Sequence, residues 1–285
     1  MSRPSQLALI ALVYVLGAVI AVARGGDFDR FAAVAGLAVL LPIAASVHYA
    51  NEYADHETDA ITVRTPFSGG SGALQETGLP RRVALRAAFG ALGVAIAGGI
   101  VGLDHGMAPS SLLLLATIAV LGWSYSLPPG SFVWRGFGEP VNAVLGGIVL
   151  PLYGYTVQTG QFALAPVLAC LPFALVVFVN LLETHWPDRE ADAAVGKSTL
   201  AVRWSPSRLR VTYVLGSLAY VGTLVTLSGR FLPPPVATVS LCIVPFLAWG
   251  SVRYTNRKLP LPAVLAMVVL AVIQVLAWGR IAGLV

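Results

Sequence analysis

Cysteine is almost missing from this chain: two in 285 residues, Cys170 and Cys242. Both fall inside apolar runs, so there is no disulfide framework and no Cys/His metal spacing. Both are expected to be buried small apolar residues. Charge is scarce as well. Asp, Glu, Lys and Arg make up 11% of the residues, against ~25% in a soluble domain, which excludes an ordinary soluble globular protein. No Gly-Lys-Ser/Thr closes the glycine-rich stretch at 64–74, so a Walker-type nucleotide loop is excluded. The alternating ten-residue segments of a membrane barrel are also missing.

What is present is apolar: 57% of the residues are hydrophobic. About 20 such residues cross a bilayer as a helix, and nine runs qualify, roughly 5–23, 31–53, 82–103, 109–127, 138–157, 163–185, 209–228, 233–252 and 262–282. Backbone in lipid must satisfy its own hydrogen bonds, so these runs read as helices. The expected fold is an all-α polytopic membrane protein, nine transmembrane helices around a central cavity that opens to the cytoplasmic side. The spans fill most of the chain and leave no room for a separate soluble domain, so residues 1–285 form one domain. The first span is expected to be retained rather than cleaved as a signal peptide.

The net charge of +5 does not mark a nucleic-acid binder, because its distribution follows a membrane. With the N-terminus placed inside, Arg3 and the loops after spans 2, 4, 6 and 8 carry fourteen of the eighteen Lys and Arg residues. The opposite side holds only Arg24, Arg30, Arg230 and Arg280. The positive-inside rule then orients the protein in the cytoplasmic membrane, with its polar loops in the cytoplasm.

Against so little charge, two acidic stretches stand out. "NEYADHETDA" (51–60) and "WPDREADAAVGKSTL" (186–200) each follow an even-numbered span. Asn51, Asp55 and Asp59 are spaced i, i+4, i+8 and would share one face of a continuing helix; Asp188 and Asp192 repeat the spacing. Asp55, Asp59, Ala60 and Arg64 match Asp188, Asp192, Ala193 and Lys197 in order, and hydroxyls follow in both copies, Thr65 in one, Ser198 and Thr199 in the other. This degenerate repeat suggests two related halves, about 1–135 and 136–285, that bring two acidic helix ends to one cavity. Carboxylates gathered near a membrane are costly unless cations fill the site. Hard oxygen ligands suit Mg²⁺, which takes a few carboxylates together with phosphate oxygens and water. Arg64 and Lys197 are placed to meet phosphate oxygens. The simplest reading is a carboxylate–Mg²⁺–diphosphate clamp. The bland one is a set of solvated helix-end acids paired with Arg81, Arg82 and Arg189.

Other features are weaker. "RTPFSGGSGAL" (64–74) reads as a connector or lid over the first acidic stretch. Pro128 and Pro129 end span 4, with Tyr125 a turn earlier, where its hydroxyl reaches a cytoplasmic cavity. Trp123 and Trp134 read as interfacial belt residues. Glu139, opening span 5, either bonds a helix N-terminus or faces the cavity. His48 and His185 lie near the acidic helix ends and read as satisfied structural histidines, while His105 lies on the far side.

On these residues the chain resembles the UbiA superfamily of intramembrane aromatic prenyltransferases. Asn51-Glu52-x-x-Asp55-x-x-x-Asp59 resembles that family's first motif, with Glu where Asp is usual, and Asp188-x-x-x-Asp192 resembles its second. Tyr125-Ser126, Pro128-Pro129 and Gly136-x-Gly138-Glu139 are similar to its intervening segment, and the nine spans to its nine-helix bundle. "GKSTLAVR" and "FSGGSG" look most like the menaquinone branch, which prenylates dihydroxynaphthoate; "LLETHWPD" lacks the asparagines common there. The resemblance implies a polyprenyl diphosphate donor, an aromatic acceptor and Mg²⁺ held by Asn51, Asp55, Asp59, Asp188 and Asp192. Arg64, Lys197 and Tyr125 would bind the diphosphate, and the reaction would pass through an allylic cation.

Two rival chemistries share these features. The same clamp can serve a non-aromatic acceptor or cyclise the prenyl diphosphate. A secondary transporter would instead place its charges in broken helices near the midplane, whereas here they gather at one edge. A structural scaffold would not require the duplicated acids.

Overall fold

The computed structural model describes Met1 and residues 3–285. Among the described residues nine helices are long and apolar enough to cross a membrane. They are α1 (Pro4–Ala23), α2 (Arg30–Ala54), α5 (Arg82–Asp104), α6 (Pro109–Ser126), α7 (Gly138–Thr159), α8 (Leu164–His185), α11 (Pro206–Leu227), α12 (Pro234–Arg253) and α13 (Leu261–Ile281). Short helices stand between them: α3 (His56–Ile61), α4 (Ala73–Thr77), α9 (Arg189–Ala194) and α10 (Leu200–Arg203). No strand forms among the described residues; the extended pairing consists of two isolated bridges, Thr65–Ser68 and Ser228–Leu232.

The helix starts follow local chemistry. Asp29 caps α2 by accepting the Ala32 N–H at 2.9 Å, and Ser205 caps α11 by accepting that of Arg208 at 3.3 Å, each satisfying a donor that the first turn leaves free. Proline occupies the first helical position of α1, α6, α11 and α12, where its missing N–H costs nothing.

Helix α2 packs along α5 and α6, α1 along α7, and α8 along α11, while α13 lies against α1, α8 and α12. The α1–α7 seam brings two backbones into direct contact. A Cβ on Gly17 would collide with the Pro151 carbonyl, and one on Gly154 with the carbonyl of Tyr14. Small residues at such a crossing let two backbones touch, the packing that holds helices together in lipid. Two buried tyrosines near this seam find backbone partners: Tyr14 donates to Ala33 O at 2.9 Å and Tyr153 to Gly36 O at 2.8 Å.

Two expectations are corrected here. Cys170 is buried, but Cys242 is exposed. It lies on the outer face of α12, since only one flank of that helix meets the bundle. Trp123 is not a plain belt residue; its Nε1 donates to Ser46 Oγ at 2.9 Å and ties α6 to α2.

Candidate functional site

A cavity of about 660 Å³ opens at the end of the bundle that carries both acidic stretches. Its deep wall is apolar, built from Leu40, Ala44, Ile118, Leu145, Leu150 and Leu181, and its mouth is polar. Asn51, Asp55, Asp59, Tyr125, Asp188, Asp192 and Lys197 all line it.

The acidic stretches are not the continuous helices their spacing suggests. α2 stops at Ala54, Asp55 has φ −93° and ψ 8°, and α3 restarts at His56. α8 ends at His185, and Pro187 follows; Asp188 then stands at the N-terminus of α9. Proline cannot continue a helix without losing a hydrogen bond and clashing with the preceding turn. Around both breaks the aspartates face the cavity. Asp55 and Asp59 are each 7% exposed and Asp192 only 2%.

Lys197 is the cation at the centre. α9 ends in a turn at Gly196, whose φ of +82° suits only glycine without strain. The chain doubles back so that Lys197 N–H donates to Asp192 O at 2.9 Å. Its Nζ then donates to Asp55 Oδ1 at 3.1 Å and lies 3.4 Å from Asp192 Oδ1. One ammonium thus links the two acidic stretches. Burial opposes its charge, but Asp55 and Asp192 outweigh that and hold its pKa above the usual lysine value.

One ammonium does not balance four carboxylates. Burial, then the charges of Asp55 and Glu52, push the Asp59 carboxyl up to about 7. Burial and Asp192 push Asp188 up to about 6. Asp192 is also raised, by burial, against the pull of Lys197. Asp188 Oδ1 is buried with no hydrogen-bond partner. Such a set of hard, under-compensated oxygens fits a hard divalent cation. Among the described residues no three His, Cys, Asp or Glu side chains form a ready-made cage. The aspartates stand instead as two pairs with Lys197 between them, an arrangement that leaves coordination positions for a ligand's own oxygens.

The glycine-rich stretch covers the mouth. Gly69 N–H donates to Asp188 Oδ2 at 3.2 Å, and Gly70 lies so close to Asp59 that a Cβ would strike its carboxylate. Ser71 N–H and Oγ donate to the two oxygens of Glu52, at 3.0 and 2.7 Å, and Arg3 binds Glu52 at 2.7 Å. Glu52 is 1% exposed and does not line the cavity. It ties the segment before α1, the end of α2 and the loop into one unit. Asn51 accepts from Ser126 Oγ at 2.6 Å, which joins the ends of α2 and α6.

The structure does not bring Arg64 into the cavity. Its guanidinium turns outward to Glu76 at 2.8 Å and Gln75 at 3.5 Å on α4, and Gly72 packs against it from behind. The expected symmetry between Arg64 and Lys197 therefore fails: the loop after α3 leads outward, whereas the turn after α9 returns. Trp134 is not a simple belt residue either, since its ring stands 5.9 Å from Lys197 Nζ. Glu139 and His185 pair with each other at the cavity wall, 2.9 Å apart. In the sequence His185 was marked only by its position at the end of a span, whereas Glu139 opened a span and closed the Gly136-x-Gly138-Glu139 segment.

A family model described as the UbiA prenyltransferase family matches residues 11–278. No curated protein matches the sequence. Among solved structures, a UbiA homolog from Aeropyrum pernix K1 in its apo state superposes with a TM-score of 0.73 at 13% identity, covering 95% of this chain and 96% of that one. A UbiA homolog from Archaeoglobus fulgidus bound to GPP and Mg²⁺ gives 0.69 at 16% identity, with 99% and 98% covered. A digeranylgeranylglyceryl phosphate synthase gives 0.64 at 14% identity, with 99% and 96% covered.

Proposed function

Because the chain belongs to the UbiA prenyltransferase family, we propose that it transfers a prenyl group from a polyprenyl diphosphate to an aromatic acceptor in an Mg²⁺-dependent reaction. The observation that carries this reading is the meeting of Asp55, Asp59, Asp188, Asp192 and Lys197 at the polar mouth of a cavity with apolar walls. A prenyl diphosphate has the same polarity, a charged head on a hydrocarbon tail. A solved relative is bound to GPP and Mg²⁺, a ligand pair of the same chemical class.

In this reading Asn51, Asp55 and Asp59 on one side, and Asp188 and Asp192 on the other, hold Mg²⁺. The bound metal neutralises charge on the leaving diphosphate. Lys197 donates to diphosphate oxygens as its Nζ exchanges Asp55 for the substrate, with Tyr125 lining the same space. Gly69 and Gly70 seat the loop over the head group. The walls around Leu40, Ile118 and Leu181 exclude water, so that the allylic cation meets an aromatic carbon and not a hydroxide. Arg64 has no part in this arrangement. The acceptor is dihydroxynaphthoate, which makes the protein an enzyme of menaquinone synthesis. The site faces the cytoplasm of a cytoplasmic membrane, as the basic loops suggest, within one domain of two related halves.

The test is direct. Purified protein is given MgCl₂, prenyl diphosphates of several lengths and a panel of aromatic acids including dihydroxynaphthoate, and the products are read by mass spectrometry. A prenylated naphthoquinol names donor and acceptor together. A cyclised hydrocarbon without acceptor transfers the clamp to a different reaction.

A further inference from the structure

Two groups meet beside the cavity that the diphosphate end does not use. Glu139, in the first turn of α7, is fully buried (0% exposed). Its Oε1 accepts the Leu200 N–H at 2.9 Å and lies 2.9 Å from His185 Nδ1. A carboxylate has no proton to give, so Nδ1 is the donor. The network thereby assigns the tautomer and leaves the lone pair on Nε2. His185 lines the cavity, and among the described residues the one hydrogen-bond partner of Nε2 is the Tyr125 hydroxyl at 3.4 Å, also in the lining. So long a contact is readily exchanged for a closer donor. Glu139 Oε2 is buried with no partner, so the carboxylate's charge is poorly met until the imidazole takes a proton. A histidine kept only for packing would have both ring nitrogens closely bonded within the protein.

We infer that His185, oriented by Glu139, is the base that takes the ring-hydroxyl proton of the aromatic acceptor, while Tyr125 helps to hold that acceptor. The inference rests on the prenyl-transfer reading. The O–H bond breaks and its proton goes to Nε2. The donor's C–O bond breaks and its pair leaves with diphosphate; the oxygen pair enters the ring, and a ring carbon forms the C–C bond to the allylic cation so produced. The ring is then a dienone. The attacked carbon loses a proton to water or its carboxylate as CO₂, and His185 returns its proton to the ring oxygen, restoring the aromatic system. Glu139 balances the imidazolium in the interval, and Tyr125, Asp192 and Lys197 are the other titratable groups facing it.

The test separates the two half-reactions in His185→Ala and His185→Gln. Each is incubated with geranylgeranyl diphosphate and MgCl₂, with and without a hydroxylated aromatic acid. Release of diphosphate to give prenyl alcohol reports ionisation; the prenylated aromatic reports transfer. Ionisation is expected to survive within a few-fold and transfer to fall on the order of 10²-fold or more, the usual contribution of a general base. Added imidazoles should restore transfer to His185→Ala, and more so as their basicity rises, which a packing defect cannot mimic. Glu139→Gln should lose transfer in the same direction. Wild-type transfer in both His185 variants overturns the assignment. So does a parallel loss of both half-reactions with no rescue. Wild-type protein that neither ionises the diphosphate nor prenylates any acceptor overturns the prenyl-transfer reading itself, and is seen before any variant is made.

Discussion

Lys197 Nζ lies 3.1 Å from Asp55 Oδ1 across 142 positions of sequence. The same ammonium stands 3.4 Å from Asp192, so it is the link between the two acidic stretches before any substrate arrives. Removing it leaves buried carboxylates facing one another. Breaking a buried ion pair typically costs about 3–5 kcal/mol. Lys197→Ala should therefore lower the thermal midpoint in detergent, and MgCl₂ with a prenyl diphosphate should recover much of the loss. Its KM for the diphosphate should rise roughly tenfold or more, in keeping with the ~1.5–3 kcal/mol of a hydrogen bond to a charged group. An unchanged dependence on diphosphate concentration would remove Lys197 from the head-group site.

Glu52 holds the loop in place without touching the cavity. It receives Arg3, Ser71 N–H and Ser71 Oγ while almost wholly buried. Glu52→Gln keeps the shape and loses the charge, so Arg3 and Ser71 should both loosen. The stretch 64–72 should be cut faster by protease, with the diphosphate KM raised several-fold and kcat less affected. Arg3→Ala should act in the same direction. Because the two share one interaction, the double variant should be less impaired than the sum of the singles. Additive losses would show that Glu52 and Arg3 act separately.

How much of this was legible in sequence depends on range. The spans were legible because ~20 apolar residues in lipid have one solution; the nine runs match the nine long helices to within a few residues. The aspartates were legible because charge in so apolar a chain needs a reason. Their backbone was not, since a four-residue spacing fits a helix and equally fits the breaks at Asp55 and Pro187. Arg64 and Lys197 look equivalent in sequence, and only the turn at Gly196 separates them. Glu139 and Glu52 sit in recognisable segments, but their partners His185 and Arg3 lie 46 and 49 residues away, and pairings made by packing leave no local pattern.

Proton and metal should compete. In the folded protein Asp59 titrates near about 7 and Asp188 near about 6, both above the ~3.9 of an unfolded chain. Between these limits the folded state binds more protons than the unfolded one. Stability is then greatest below pH ~4 for these groups and is lost as pH rises through about 6 to 7. Divalent cation must displace those protons, so its affinity should rise over the same window. Thermal unfolding at pH 6 and pH 8, with and without MgCl₂, tests both signs. The metal-free protein should be less stable at pH 8, and the gain on adding MgCl₂ should be larger there. An equal gain at both values would mean that neither carboxyl meets the metal.

Asp188 Oδ1 is buried without a partner, while the other oxygen of that carboxylate receives Gly69 N–H. A group in that state is costly unless a ligand completes it. Asp188→Asn keeps the volume and the Gly69 contact but halves the reason for a cation to bind. Turnover should fall by two orders of magnitude or more, the scale of losing one stabilising contact to the transition state, while the metal-free protein should unfold at the same temperature or higher, since one buried charge is gone. Asp55→Asn should also abolish turnover but lower stability, because Lys197 loses its closer partner. EDTA should reduce wild-type activity to the level of either variant and leave the variants unchanged. The opposite stability signs distinguish an aspartate waiting for metal from one already paired with protein, and two variants destabilised alike would undo that distinction.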